Sequence, residues 1–75
     1  MGWVDIAEDQ YRALPDQQQR LVDARVSQLL DDPETGSFHD ERTDQWTTTD
    51  SSGTGLITYV FRTDRPRLII LRLIY

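Results

Sequence analysis

The chain contains 75 residues, carries a formal net charge of −5 and has no cysteine. Its length predicts a single domain over residues 1–75, because a second domain would lack the residues for a core of its own. The missing cysteines exclude a disulfide framework and a thiolate metal site. A domain this small buries only about 60% of the surface that its unfolded chain exposes, so we expect it to depend on a protein partner.

The charge is distributed unevenly along the chain. Residues 1–50 hold twelve acidic side chains and four arginines, a net charge of −8, whereas residues 51–75 hold four arginines and one aspartate, a net charge of +3. An acidic chain is a poor general nucleic-acid binder, since affinity for phosphates depends on cations. The C-terminal arginines still offer planar donor groups for phosphate, or else form a solvated face of a sheet.

Neither a membrane span nor a signal peptide is visible in the sequence. No stretch approaches the roughly 20 apolar residues that a spanning helix requires. The N-terminus lacks a basic region followed by an apolar run, and Asp5 and Glu8 stand where a signal peptide would need other residues. We therefore expect a cytoplasmic protein that does not bind membranes.

The N-terminal half is predicted to be mostly helical. Residues 3–6 alternate weakly, which favours a short strand, and residues 8–14 favour a short helix with acids in its first turn. Pro15 then begins the main helix, predicted over residues 16–30, because proline is tolerated in a first turn where its missing N–H would be unpaired anyway. The apolar residues of this helix form one stripe: Leu21, Val22, Val26, Leu29 and Leu30.

Turn and strand signals dominate the second half. Pro33 ends the main helix, because the residue before a proline resists the helical conformation. Residues 34–45 are polar and are predicted to be a loop, and residues 46–49 are rich in strand-forming side chains. Residues 50–55 contain two glycines and predict a turn rather than a phosphate-binding loop, which would have to begin a helix.

The C-terminus is predicted to be a hairpin. Residues 56–61 form one strand and residues 63–66 a turn, and the nearly continuous apolar run at residues 68–75 forms a second strand. Such a run suggests burial on both faces, and hence a central place in the sheet. The predicted order is β-α-α-β-β-β, an α+β fold in which two N-terminal helices pack on a small antiparallel sheet.

This order of elements, together with four short motifs, resembles the RelE/ParE superfamily of toxins from type II toxin–antitoxin systems. The motifs, in chain order, are Leu14-Pro15 before the long helix, Leu29-Leu30-Asp31-Asp32-Pro33 followed by Gly36 at its exit, Trp46 followed by glycines and Tyr59, and the ending Leu71-Arg72-Leu73-Ile74-Tyr75. The ending is similar to the last strand of the YoeB-like branch. The resemblance covers almost the whole chain.

The resemblance implies a metal-independent endoribonuclease that cuts mRNA at the ribosome, with Tyr75 and Arg72 as catalytic residues. Such chemistry needs a base, an acid and cations for the developing phosphorane charge. Leu56 stands where the family has a phosphate-binding arginine, and Ile74 where it has a histidine, while Glu34 and Glu41 are both off register for the general base. Losing one electrostatic contact of this kind costs about 10²–10³ in rate, so activity by this route is weakened.

Each candidate site residue also has a structural interpretation. Tyr75 is either catalytic or an amphipathic cap on the last strand, and Arg72 is either a site residue or the outward-facing residue of that strand. The remaining C-terminal arginines are either RNA-binding or solvated charges near the hairpin turn: Arg62, Arg65 and Arg67. His39 lies in a polar stretch without a second histidine, so we expect no metal site, and we expect no small-molecule cofactor.

Three functions are therefore open. The first is a toxin that cleaves mRNA on the ribosome, and the second is a ParE-like inhibitor of DNA gyrase, which does not need the ribonuclease residues. The third is a catalytically inactive protein-binding module on the same scaffold. All three imply a protein partner, most simply an antitoxin, which could add a strand to the sheet edge or lay an amphipathic helix in a groove.

Overall fold

Two helices and five strands make up the α+β fold of the computed structural model, which describes residues 2–62 and 67–75. In chain order the elements are β1 (Gly2–Trp3), α1 (Asp5–Ala13), α2 (Asp16–Asp31), β2 (Phe38–Asp40), β3 (Gln45–Thr49), β4 (Leu56–Arg62) and β5 (Arg67–Ile74). The strands form one sheet in the order β1-β5-β4-β3-β2. Because β1 runs parallel to β5 while the other neighbours are antiparallel, the sheet is mixed rather than antiparallel as predicted.

The predicted N-terminal strand is shorter, and the first helix starts earlier, than the sequence suggested. Val4 separates them: its N–H donates to the Ile70 carbonyl at 3.1 Å, and its own carbonyl accepts the N–H of Glu8 at 3.0 Å. The same residue thus ends the pairing with β5 and begins α1. Asp5 and Glu8 lie in the first turn, where carboxylates interact favourably with the helix dipole.

The main helix is confirmed, with Pro15 immediately before its first residue. Pro15 is extended, and its carbonyl accepts the N–H of Gln19 at 3.0 Å. Of the predicted apolar stripe, Val22, Val26 and Leu29 are buried, whereas Leu30 is 55% exposed. The buried stripe of α2 therefore contains fewer residues than the apolar stripe that the sequence predicts.

The prediction of a loop over residues 34–45 is wrong, because this segment contains β2. Phe38 pairs with Thr47 and Asp40 with Gln45, which makes β2 the edge strand beside β3. Phe38 is 75% exposed, and the strand is only three residues long. An edge strand of three residues, with one exposed apolar side chain and two half-buried polar ones, lacks the apolar alternation by which strands are recognised in a sequence.

The last strand is interior, as predicted, but it is not buried on both faces. β5 lies between β1 and β4, and Leu68, Ile70 and Leu73 are buried while Arg72 and Ile74 are exposed. Thr58 pairs with Arg72 but the next residue of β4 pairs with Ile70, so β5 carries one extra residue at this point. This bulge shifts the alternation, and as a result Leu73 rather than Arg72 points into the core.

The two described helices pack on one side of the sheet, which we call the inner face; on the opposite side, the outer face, Ile6 of α1 lines the rim of a groove. The core between the helices and the inner face contains Ala7, Val22, Val26, Leu29, Ile57, Tyr59, Leu68, Ile70 and Leu73. Side chains alternate along a strand, so the neighbours of these core residues on β4 and β5 point to the outer face.

The exit of α2 is fastened to the inner face by hydrogen bonds. The buried Tyr59 hydroxyl donates to the Pro33 carbonyl and lies 2.7 Å from Ser37 Oγ. Burial raises the pKa of Tyr59, so its phenol stays protonated and remains a donor. Arg25 reaches the same loop, donating to the Thr35 carbonyl at 2.5 Å. The segment that follows α2, from Pro33 to Gly36, is thus held in place by side chains of the sheet and of α2.

Gly36 completes this exit. Its φ of +70° lies in the left-handed region, which favours glycine, and a Cβ there would meet the Arg25 guanidinium at 3.0 Å. Arg25 also donates to Thr48 Oγ1 at 2.9 Å, and the Thr48 hydroxyl in turn donates to the Gly36 carbonyl at 3.1 Å. These contacts explain why a polar threonine is buried on the inner face.

Candidate functional site

The C-terminal tyrosine is bound to a buried carboxylate. Tyr75 Oη donates to Asp50 Oδ2 at 2.5 Å, and Asp50 is only 3% exposed. Within the turn after β3, Asp50 also accepts hydrogen bonds from the Ser52 N–H at 2.8 Å, the Ser52 hydroxyl at 2.7 Å and the Gly55 N–H at 3.1 Å. The carboxylate therefore organises this turn and ties it to the last residue of the chain.

These contacts set the protonation of both groups. Burial disfavours the charged form of Asp50, but hydrogen bonds from Tyr75, Ser52 and the turn backbone outweigh it and hold the pKa of Asp50 well below its usual range. Burial, the hydrogen bond to Asp50 and the negative charge of that carboxylate all raise the pKa of Tyr75. At neutral pH the pair is a carboxylate and a neutral phenol, and the phenol is a weaker acid than free tyrosine.

A glycine makes room for the tyrosine ring. A Cβ on Gly55 would lie within 3.0 Å of three ring atoms of Tyr75, so the ring packs directly over the glycine backbone. The Asp50 N–H also donates to the Gly55 carbonyl at 3.0 Å, which closes the turn. The second glycine of this segment is needed for close approach.

Arg72 lies on the other side of the sheet from Tyr75. It pairs with Thr58 on the outer face, whereas Leu73 is buried on the inner face and Tyr75 reaches the inner-face carboxylate of Asp50. The structure therefore does not bring the two predicted catalytic residues together. An open groove of about 340 Å³ adjoins Arg72 on the outer face; its lining is formed by Val4, Ile6, Gln45, Thr58, Leu71 and Arg72.

The two apolar residues at the positions where the resemblance implies charged groups are neighbours. Leu56 pairs with Ile74 across β4 and β5, and the two side chains are 39% and 46% exposed. Both occupy the outer face, because each precedes or follows a buried core residue on its strand. They form an apolar pair where the ribonuclease chemistry would need donors and cations.

The other predicted RNA-binding arginines lie at the opposite end of the same two strands. Arg62 pairs with Arg67, and both are exposed. The guanidinium of Arg67 extends toward β1, where it would lie 3.4 Å from a Cβ on Gly2. Arg65 lies outside the described residues. The structure thus places Arg62 and Arg67 beside each other and away from the Asp50–Tyr75 pair.

Asp50 is the residue that sequence reasoning missed. The signal was present, since an aspartate followed by Ser-Ser-Gly-Thr-Gly is typical of a side chain that accepts hydrogen bonds from the backbone of its own turn. Its pairing with Tyr75, 25 residues away, could not be read from that motif. The contact depends on β4 and β5 returning the chain end to the turn.

Among residues 2–62 and 67–75, no group of three or more histidine, aspartate or glutamate side chains is arranged to hold a metal ion. His39 instead lies 2.8 Å from Asp44 and stacks on Trp46 with ring centroids 4.5 Å apart. None of the described helices has the length and apolar character needed to cross a bilayer.

Comparison with known proteins found no matching family model, no matching curated protein and no matching solved structure.

Proposed function

We propose that this chain is a protein-binding module whose outer sheet face binds an acidic, amphipathic segment of a partner protein. The observation that carries the proposal is the exposed pair formed by Leu56 and Ile74. Aliphatic side chains cannot neutralise phosphate, but they gain free energy when a partner removes them from water. Phe38, at 75% exposure on β2, is a further exposed apolar side chain on the same face, separated from Leu56 by the threonines of β3.

The groove on the outer face supplies chemistry for specificity. Val4, Ile6 and Leu71 give it aliphatic walls, and Arg72 gives it one cation. An aliphatic side chain of the partner fits those walls, while a carboxylate one or two residues away reaches the guanidinium fork of Arg72. The preferred segment therefore combines aliphatic side chains with carboxylates.

The charge distribution favours the same partner in the same place. Residues 51–75, which include β4 and β5, carry a net charge of +3, whereas residues 1–50, which include both helices and the other three strands, carry a net charge of −8. An acidic segment is attracted to β4 and β5 and repelled by the rest of the chain, which steers it toward the outer side of these two strands. A basic segment would have the opposite preference.

The resemblance to the RelE/ParE toxins gives this partner a class, since the partner of such a toxin is its antitoxin. Toxin activity, against ribosome-bound mRNA or against gyrase, stays a prediction of that resemblance. Protein binding has better support than RNA cleavage, because Arg72 and Tyr75 lie on opposite faces and the Tyr75 hydroxyl already donates a hydrogen bond to Asp50. A cleavage site would need both groups at one phosphate.

Two designed peptides test the proposal. One alternates leucine with glutamate, and its charge-reversed counterpart alternates leucine with lysine. Titrated into the ¹⁵N-labelled chain, the glutamate peptide is expected to shift the amide signals of Leu56, Thr58, Arg72 and Ile74, and to bind more tightly than the lysine peptide. Arg72→Glu should reverse the order of the two peptides, since it exchanges attraction for repulsion at the groove.

Leu30→Ser is the matched control, because Leu30 is an exposed leucine on α2 rather than on the outer face. It should leave binding of the glutamate peptide unchanged, whereas Ile74→Ser should weaken it. Equal binding of both peptides, or shifts confined to the helices, would contradict the proposal.

Toxin activity is tested separately. Purified chain is added to translating ribosomes and mRNA ends are mapped, and gyrase supercoiling is followed in a parallel reaction. Cleavage that is lost in both Tyr75→Phe and Arg72→Ala would support the ribonuclease interpretation over binding alone. Cleavage that persists in both variants would rule out these two residues as its catalysts.

A further inference from the structure

A second concave surface lies on the inner side of the sheet, where β1 meets the two helices. This cleft of about 270 Å³ is lined by Trp3, Glu8, Tyr11, Arg12 and Asp23. Pockets for drug-sized ligands usually measure about 300–1,000 Å³, so the cleft suits one side chain or a small molecule. It is separate from the groove beside Arg72, with which it shares no lining residue.

Two aromatic rings form the apolar part of the cleft. The centroids of Trp3 and Tyr11 lie 5.1 Å apart, with the ring planes inclined at 52°. Tilted rings of this kind present two electron-rich surfaces to the same space. Such surfaces attract cations, and the attraction increases when the cation also leaves water.

The charged groups of the cleft leave one carboxylate without a cationic partner among the lining residues. Arg12 pairs with Glu8 at 2.5 Å, so these two charges offset each other. Asp23 accepts the hydroxyl of Tyr11, with its two oxygens 2.8 and 3.0 Å from Tyr11 Oη. Tyr11 is neutral, because its hydrogen bond to Asp23, its burial and the charge of that carboxylate all raise its pKa. The cleft therefore keeps a net charge of −1.

From this arrangement we infer that the cleft binds an alkylammonium group, namely the lysine side chain of another molecule. The aliphatic stem lies against the rings of Trp3 and Tyr11, and the ammonium donates to Asp23. A lysine fits better than an arginine, because both carboxylate oxygens already share the Tyr11 hydroxyl and a bidentate fork cannot approach from that side. The chain itself contains no lysine, so the ligand is intermolecular.

A matched pair of small probes tests this inference. Nα-acetyl-lysine methylamide carries the ammonium, and Nα-acetyl-norleucine methylamide has a similar aliphatic stem without it. Each is titrated into the ¹⁵N-labelled chain while the indole N–H signal of Trp3 is followed. The lysine probe is expected to shift this signal in a saturable manner, to bind more tightly than the norleucine probe, and to weaken as salt is added.

Two variants of α2 locate the charge. Asp23→Asn keeps an acceptor for Tyr11 but removes the negative charge, and should weaken binding of the lysine probe by about two- to fivefold, the range of an exposed ion pair. Asp31→Asn removes an exposed acid of the same helix outside the cleft and should leave binding unchanged. Both positions are exposed, so neither change is expected to disturb folding.

The source of the ammonium is decided by a third probe, a glycine–serine peptide with one internal lysine. Binding of this peptide at least as tight as that of the lysine probe supports a lysine presented by a partner chain. Failure of the peptide where the small probe binds would overturn the partner assignment and leave a site for small amines. Equal binding of lysine and norleucine probes, or an unchanged affinity in Asp23→Asn, would overturn the cation site itself. None of these outcomes depends on the outer face, so the two proposals can fail independently.

Discussion

The inner and outer faces of the sheet are formed by alternate residues of the same strands, yet the two faces differ in how their side chains are buried. On the inner face the buried side chains of β4 and β5 share one core with residues of both helices, and the buried polar side-chain atoms of the described residues have hydrogen-bond partners. On the outer face Leu56 and Ile74 are left partly in water. The inner face therefore supplies stability, and the outer face is free to supply recognition.

Neighbouring residues on β4 give the sharpest contrast between the faces. Ile57 is fully buried and Leu56 is 39% exposed. Ile57→Ala should reduce the free energy of unfolding by about 3 kcal/mol, because it leaves a cavity in the core, whereas Leu56→Ala should cost about 1 kcal/mol or less. Urea denaturation of both variants measures the difference. Equal losses would mean that the two faces are buried to the same extent.

Alanine substitutions at the two glycines of the turn after β3 distinguish steric overlap from backbone strain. Gly55→Ala places a methyl group against the Tyr75 ring and should cost about 2 kcal/mol. Gly53→Ala meets no atom within 4 Å but has a φ of +81°, so it should cost about 1 kcal/mol through backbone strain alone.

A double-mutant cycle identifies the ring as the cause. In a Tyr75→Ala background the cost of Gly55→Ala should nearly vanish, while the cost of Gly53→Ala should persist. If the Gly55 penalty survives without the ring, close packing of Tyr75 is not its origin.

Tyr75→Phe tests whether the last residue of the chain serves stability. The change keeps the ring over Gly55 but removes the hydrogen bond to the buried Asp50, and should cost about 1.5 kcal/mol, typical of a bond to a charged group. For a domain of this size that loss lowers Tm by about 6–12 °C. Tyr11→Phe, which loses a bond to the exposed Asp23, is the control and should cost less. An unchanged Tm in Tyr75→Phe would show that the hydrogen bond between Tyr75 and Asp50 contributes no stability.

The pH dependence of stability tests the contribution of the Asp50 carboxylate. The folded pKa of Asp50 lies below its ordinary value of 3.8, so its stabilising contribution is complete above that value and is lost as the pH falls through the folded pKa. The free energy of unfolding should therefore decline as the pH is lowered below about 4. Asp50→Asn should flatten this decline, while Asp31→Asn should not. A decline that is the same in all three proteins would place the titrating groups elsewhere.

The sequence by itself determined the elements with strong periodic signals. Three local patterns predicted the elements that the structure contains: the apolar stripe of α2, the proline before it and the apolar run of β5. The α+β class and the interior place of β5 follow from those patterns. The edge strand β2 escaped prediction because its pairing with β3 depends on a neighbour rather than on its own alternation.

The candidate site was decided by the tertiary structure. Arg72 and Tyr75 are three residues apart, so a regular strand places them on opposite faces, but only the bulge before Arg72 decides which face each one takes. Asp50 meets Tyr75, and Trp3 and Tyr11 line one cleft with Asp23, only after the chain has folded back on itself. Local preferences specify which residues are helical or extended, but contacts between distant residues depend on register and packing, which no short segment encodes.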